Sequence, residues 1–303
     1  MKSLQRVPRL RSIAAAACTL LFVAATGYAQ SDLQKTLQQF NSTQVTGYIQ
    51  PLADLFGANM NAGMFHNAEI PRAGFHFSFE IVGMGSVVGD NQKNYTLNSP
   101  AGFNPATFST ATMFGGKRDS VVDTNTKLKY FGLADGFVNT SLFPLGAPQI
   151  TIGDIYGTRA IIRLVATPSM KGFPSATLWG LGLQHSISQY VPAVPVDIAA
   201  HVFFSQFRFG DLVSFNGTSI GVEASKSLSI LRVYGGLAWE KSSMELKYTP
   251  SDATIPAVDI TMNGANNFRA TIGLGLHIIF FSVFADANFG SVTNFSAGIG
   301  FGG

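Results

Sequence analysis

The chain has 303 residues, of which only 12% are charged, with 20 Lys and Arg against 17 Asp and Glu. That charged share is about half of the ~25% usual for soluble domains, while Phe (26) and Gly (32) are abundant. Past the N-terminal leader no stretch approaches the ~18 consecutive apolar residues of a membrane helix. No basic cluster interleaved with aromatics offers a nucleic-acid surface.

Residues 1–29 read as a secretory leader. Lys2, Arg6, Arg9 and Arg11 form a basic start, residues 13–25 are apolar, and Gly27-Tyr28-Ala29 supplies small residues for cleavage before Gln30. The leader holds four cations and no acid, so the exported chain carries 16 cations against 17 acids, a net of −1. Its Cys18 is the only cysteine. The exported chain is therefore expected to have no disulfide, thiolate metal site or thiol nucleophile. A secreted, charge-poor, Phe/Gly-rich chain of this kind is expected in a bacterial outer membrane.

Residues 31–57 carry a helical pattern. Leu33, Leu37 and Phe40 repeat at i, i+4, i+7, followed by Val45, Tyr48, Ile49, Leu52, Leu55 and Phe56. Pro51 is expected to break or begin a helical turn, and Gly57 to stop the helix. Residues 30–70 are expected to form a helical plug or periplasmic segment, with 59–70 a polar-apolar connector, ahead of a barrel spanning 71–303.

Residues 74–88 open that barrel. Phe75, Phe77, Phe79 and Ile81 face one way and His76, Ser78 and Glu80 the other, the period of a strand. Residues 89–123, rich in Asn, Ser, Thr, Pro and Gly, read as a long outer loop over the mouth. Residues 125–133 read as a strand, and 134–157, with Pro144 and Pro148, as irregular. Alternation then holds from Thr158 onward, apart from a second long loop over 240–267 into which the strands are expected to extend past the membrane. It closes with three runs in residues 268–303, each near the ~9–11 residues of a tilted membrane strand. Short joints at one end and longer polar ones at the other fit a transmembrane antiparallel β-barrel. The fold class is all-β, with about ten strands, eight to fourteen being compatible.

The lumen-facing parity contains His76, Glu80, Arg159, Arg163, Asp197, His201, Glu223, Arg232, Glu240, Arg269, His277 and Asp286. Charge inside a barrel is costly unless paired, so acids and bases should meet across strands. One reading is a structural network filling a narrow lumen. The other is a polar constriction that selects a solute by charge, with Arg159 and Arg163 as an anion-attracting step. Catalysis is not expected: Asp197 and His201 share a face but stand ~13 Å apart along it, and the five histidines show no metal-ligand spacing. Neither a metal nor a cofactor is expected.

Residues 54–68, Asp-Leu-Phe-Gly-Ala-Asn-Met-Asn-Ala-Gly-Met-Phe-His-Asn-Ala, and 182–192, Gly-Leu-Gln-His-Ser-Ile-Ser-Gln-Tyr-Val-Pro, resemble an uncharacterised family of outer-membrane barrels of Bacteroidota-type bacteria. That family is distantly similar to the long-chain fatty acid transporters. The resemblance covers most of the exported chain and implies an N-terminal helical plug and a hydrophobic solute. The expected function is a passive channel or transporter for a small, hydrophobic solute. The alternative is a barrel that anchors or scaffolds an envelope or secretion complex. Expected partners are outer-membrane lipid, the barrel-insertion machinery and a small hydrophobic solute; nucleic acid is not among them.

Overall fold

The computed structural model describes residues 42–170, 174–191, 194–248 and 257–302. The leader, and the helical pattern over 31–41, lie outside these residues. The described chain opens with helix α1 (Ser42–Met60) and first wall strand β1 (His76–Val87). A cap follows: α2 (Asp90–Lys93), the hairpin β2 (Asn94–Asn98) and β3 (Thr107–Ala111), and the hairpin β4 (Ser120–Val122) and β5 (Lys129–Phe131). The wall resumes as β6 (Leu142–Ile155), β7 (Thr158–Thr167), β8 (Ala176–Ser186), β9 (Asp197–Phe209), β10 (Val213–Leu228) and β11 (Leu231–Tyr248). It ends with β12 (Val258–Asn263), β13 (Phe268–Ile278), β14 (Phe281–Phe289) and β15 (Asn294–Gly302).

Ten antiparallel strands close the barrel in the order β1, β6, β7, β8, β9, β10, β11, β13, β14, β15, and β15 pairs back onto β1 with Ile81 opposite Ile299. Closure pairs every wall strand on both sides over at least part of its length, which is how a β-protein satisfies its backbone in a bilayer. The eleventh strand of the sheet, β12, extends the wall outward: β11 pairs with β13 along Leu231–Trp239 and with β12 along Ser243–Tyr248. The period-two pattern is realised as read. Phe77, Phe79, Leu181, Leu183, Leu274, Leu276, Ile299 and Phe301 face outward and exposed, while Ser78, Glu80, Gln184, Arg269 and Ser296 face inward and buried. A band of exposed Phe, Leu and Ile around a closed barrel is a lipid-facing surface, so this is a transmembrane β-barrel.

Three sequence expectations are corrected. Residues 134–157 are not irregular but contain β6, a wall strand of 14 residues. Residues 125–133 lie in the cap instead. Pro144 and Pro148 are tolerated because pairing with β7 stops at Gln149–Arg163, so the outer part of β6 is held by β1 alone. Second, α1 runs through Pro51. A proline inside a helix costs ~3 kcal/mol, but burial of Val45, Tyr48, Ile49, Leu55 and Met60 at ~1.5–3 kcal/mol for each large side chain outweighs it. Third, Gly57 does not end the helix. It lies against β11, where the Ser242 hydroxyl occupies the space a Cβ would need.

Helix α1 sits inside the outer half of the barrel and completes its core. Phe56 packs its ring 4.3 Å from Phe215, 4.7 Å from Phe207 and 6.3 Å from Phe143. Leu145, Leu178, Met244, Leu246 and Met262 join the same buried cluster, and Phe114 and Leu133 continue it into the cap. Tyr48 ties the helix to the cap twice: its carbonyl accepts from the Met113 amide at 3.1 Å, and its hydroxyl donates to the Asp135 carbonyl at 2.7 Å. The outer half of the lumen is thus dry and full.

Candidate functional site

Below α1 the lumen changes character. The segment 58–70, leaving the helix toward the end opposite the cap, is held to the wall by polar side chains as well as by small apolar clusters, Met64 with Ile161 and Phe203, and Ala68 and Ile70 with Ala199. Arg163, only 1% exposed, donates to the carbonyls of Met60 (3.3 Å), Ala62 (3.0 Å) and Gly63 (3.2 Å), and to Gln149 Oε1 at 3.0 Å. Arg269 donates to the Ala58 carbonyl at 2.7 Å while paired with Glu240 at 2.8 Å. Helix C-termini leave carbonyls without intrahelical partners and carry partial negative charge. Two guanidiniums from distant wall strands therefore help to cap α1.

Further down, Gln149 donates to the Met64 carbonyl at 3.3 Å, Gln184 to the Asn67 carbonyl at 2.7 Å, and the Ala68 amide donates to Ser225 Oγ at 3.0 Å. His66 lies 2.9 Å from Glu80 and stacks on Phe284 at 4.1 Å. Arg159 pairs with Asp154 at 2.7 Å and donates to the Glu69 carbonyl at 3.1 Å. Arg232 approaches Glu69 at 4.0 Å. Asp286 accepts from Tyr234 at 2.9 Å and from Asn288 at 2.6 Å.

Two cavities flank this segment. A vestibule of about 310 Å³ is lined by His66, Glu69, His76, Glu80, Arg159 and Arg232 among others. An inner chamber of about 40 Å³ lies among Asn61, His201, Ser219, Glu223, Tyr234 and Arg269. Met64 and Phe65 line both. Phe65, stacked on His201 at 4.1 Å, is the partition between them. In the inner chamber, Asn61 Oδ1, His201 Nδ1 and Arg269 Nη1 are buried without a protein hydrogen bond among the described residues. The chamber has room for about three waters at ~10–15 Å³ each.

The expected lumen residues all face inward, but they do not make one constriction. They split into wall–plug latches (Arg163, Arg269 with Glu240), plug–vestibule contacts (Glu80, Arg159, Arg232) and the inner-chamber pair His201 and Glu223, 3.8 Å apart. His76 and His277 line the vestibule. Asp197, at the start of β9, joins neither cavity's lining. The anion-attracting role expected of Arg159 and Arg163 is not what the geometry offers, since Asp154 neutralises the first and plug carbonyls occupy the second. Sequence reasoning took residues 59–70 for a connector and passed over His66, Asn67, Glu69, Gln149, Asp154 and Gln184. The available signal was the density of Asn, His and Glu between small and apolar residues in 59–69, excessive for a simple link.

Among the described residues no group of His, Cys, Asp and Glu could hold a metal ion. Residues 2–303 match a family described as being of unknown function, DUF6588. The chain belongs to that family. No curated protein matches this DUF6588 chain. Among solved structures it is similar to the N-terminal β-barrel domain of Pseudomonas aeruginosa OprF at 16% identity, covering 48% of this chain and 98% of that one with a TM-score of 0.24. It is also similar to the Ralstonia pickettii toluene transporter TbuX at 9% identity (88% and 98% covered, TM-score 0.26). A Pseudomonas aeruginosa FadL homologue matches at 9% identity (85% and 97% covered, TM-score 0.24).

Proposed function

We propose that this DUF6588 protein is an outer-membrane transporter for a small, hydrophobic solute, held shut in its resting state by α1 and residues 58–70. The observation that carries the reading is that a separate segment, and not the wall's side chains alone, fills the lumen. A small barrel with nothing to pass can fill its interior with its own inward side chains. Here inward Gly182 and Gly217 leave room on the wall that Phe65 and Asn61 of this distinct stretch enter. Moving α1 aside would uncover an outer lumen lined by Phe143, Leu145, Leu178, Phe207, Phe215, Met244 and Leu246, a path for an apolar solute leading to the polar vestibule.

We assign the protein no catalysis. Ser219, His201 and Glu223 have the identities of a nucleophile, base and orienting acid, but Ser219 Oγ is 3.5 Å from His201 Nε2 and the acid 3.8 Å from Nδ1. The enclosed ~40 Å³ beside them admits waters, not a substrate. The folded cap over residues 88–141 favours the second reading, a barrel that anchors an envelope complex, because it presents ordered hairpins where a simple pore needs only a loop.

Locking the plug separates the two. Gly57→Cys/Ser242→Cys bridges α1 to β11 once the two Cβ atoms, 2.7 Å apart on the parent backbone, spread to the ~3.8 Å of a disulfide. With Cys18→Ser throughout, uptake of an apolar dye into proteoliposomes should be present under reductant and lost on oxidation. Equal uptake in both states would sink the transporter reading.

A further inference from the structure

The end of the barrel opposite the cap is unusually apolar at the tips of its turns. Three hairpins close there with two-residue turns: Tyr156-Gly157 between β6 and β7, Ser229-Ile230 between β10 and β11, and Ile279-Phe280 between β13 and β14. Such turns favour Asn and Gly, which accept a positive φ and like water. Here Tyr156, Ser229 and Ile279 take φ of 52°, 60° and 57°. For a β-branched residue such as Ile279 this is a strained backbone. Tyr156 at 82% and Ile279 at 81% are the most exposed large apolar groups among the described residues, and Phe280 (63%) and Ile230 (53%) are exposed beside them. Local conformational preference and aqueous solubility both argue against these residues, so something other than water covers them.

The length of the wall identifies the cover. On β11 the outward apolar run begins at Leu231 and ends at Trp239, beyond which Lys241, Ser243 and Glu245 face out. Eight steps of ~3.3 Å on a strand tilted by ~40° span ~20 Å of membrane, short of the ~25 Å apolar band of such barrels. The run on β14, from Phe281 to Phe289, has the same length, whereas that on β13, from Phe268 to Ile278, takes ten steps and ~25 Å and carries the apolar band to the foot of the Ile279-Phe280 turn. The missing several ångströms can be supplied at the cap end or at the turn end. At the cap end the next outward residues are polar; at the turn end they are Ile230, Ile279 and Phe280.

We infer that these turn tips are seated in the inner leaflet of the bilayer, where they anchor the barrel and set its height. The charged groups near the rim fit this depth. Lys226, outward on β10 beside Leu228, has an aliphatic stem that reaches back to the headgroups, and Arg72 and Gln189, bonded to each other at 3.3 Å, sit at the same rim. Glu69, Asp197 and Arg232 face the mouth rather than the lipid. The apolar tips are continuous with the lipid-facing band, which singles out lipid over a protein partner.

The test is depth measurement in vesicles. Ile279→Cys, and separately Tyr156→Cys, each in the full chain with Cys18→Ser, are nitroxide-labelled and reconstituted as the sole protein in phospholipid vesicles. Folding is verified by heat-modifiable migration. Collision rates with oxygen and with a water-soluble nickel complex are compared with labels at Ile272, within the lipid-facing band, and Asn125, in the cap. Both tip labels should show the oxygen preference and low nickel access of the Ile272 label. Nickel access matching Asn125 overturns the inference, as does shielding that disappears on dilution to one barrel per vesicle, which would mean a second copy covers the tips. The variant Ile279→Asn/Phe280→Gly removes the strain and the anchor together, and should lose vesicle insertion while folding in detergent. Unchanged insertion also counts against the anchor.

Discussion

Replacing Arg163 with methionine tests the latch between plug and wall. The guanidinium serves the carbonyls of Met60, Ala62 and Gly63 and the Gln149 amide oxygen, with three of those four contacts made by Nη2 alone. Two hydrogens cannot fully satisfy three acceptors, so the count is closer to three full bonds. At ~1.5–3 kcal/mol for each bond to a charged group, less the several kcal/mol recovered by no longer burying a cation, the net loss is roughly 2–4 kcal/mol. That is roughly a thirtyfold to thousandfold rise in the population with the segment 58–70 detached. The barrel wall itself loses little, since the backbone pairing of Arg163 with Gln149 and Gly180 does not need its side chain. Arg163→Met should therefore remain a heat-modifiable barrel in detergent while residues 61–67 become open to limited proteolysis. Arg163→Lys, which restores one or two of the bonds, should fall between. If Arg163→Met is as protease-resistant as the parent, the latch is not what holds the plug.

Other consequences follow from the same contacts. Glu240→Ala leaves Arg269 buried and unpaired beside α1 and should cost about 3–5 kcal/mol by denaturant midpoint, whereas Glu240→Met with Arg269→Met should cost much less; equal losses would contradict the pairing. Gly57→Val places a branched side chain where Ser242 already sits and should lower the melting temperature, while Gly57→Ala with Ser242→Gly should restore it. In the cap, Asp123 accepts from the side chain and amide of Thr126 and the amide of Asn104, which pull its carboxyl down to about 2. A depressed carboxylate contributes stability above its unfolded value near ~3.9 and loses it as pH falls through about 2. Amide exchange in the 120–131 hairpin should accelerate between those values, and Asp123→Asn should flatten that step; an unchanged profile would refute it.

The wall was legible because its signal is local. From Thr158 onward each strand shows its own two faces within a dozen residues, and the structure places strands where that alternation runs. The ten-strand count came out right although one member was wrong. Residues 125–133 alternate but belong to a cap hairpin, and β6 hides behind Pro144, Gly146 and Pro148, tolerated because the outer part of that strand pairs on one side only. The site was far less legible. Arg163 with Met60, Arg269 with Ala58, and Gln184 with Asn67 are more than a hundred residues apart in sequence. Spacing within a strand reports which face a residue occupies, not which loop returns to meet it. Arg159 and Arg163 share a face, yet one binds an acid at the rim and the other a helix end in the middle of the barrel.

The central claim is that α1 and its tail shut an otherwise passable barrel. Single-channel recording in a planar bilayer tests it directly, comparing the intact protein with a form lacking residues 42–60, both verified as folded by heat-modifiable migration. The account predicts a silent intact protein and discrete current steps in the deletion. Steady current through the intact barrel, or none through the deleted one, would contradict it.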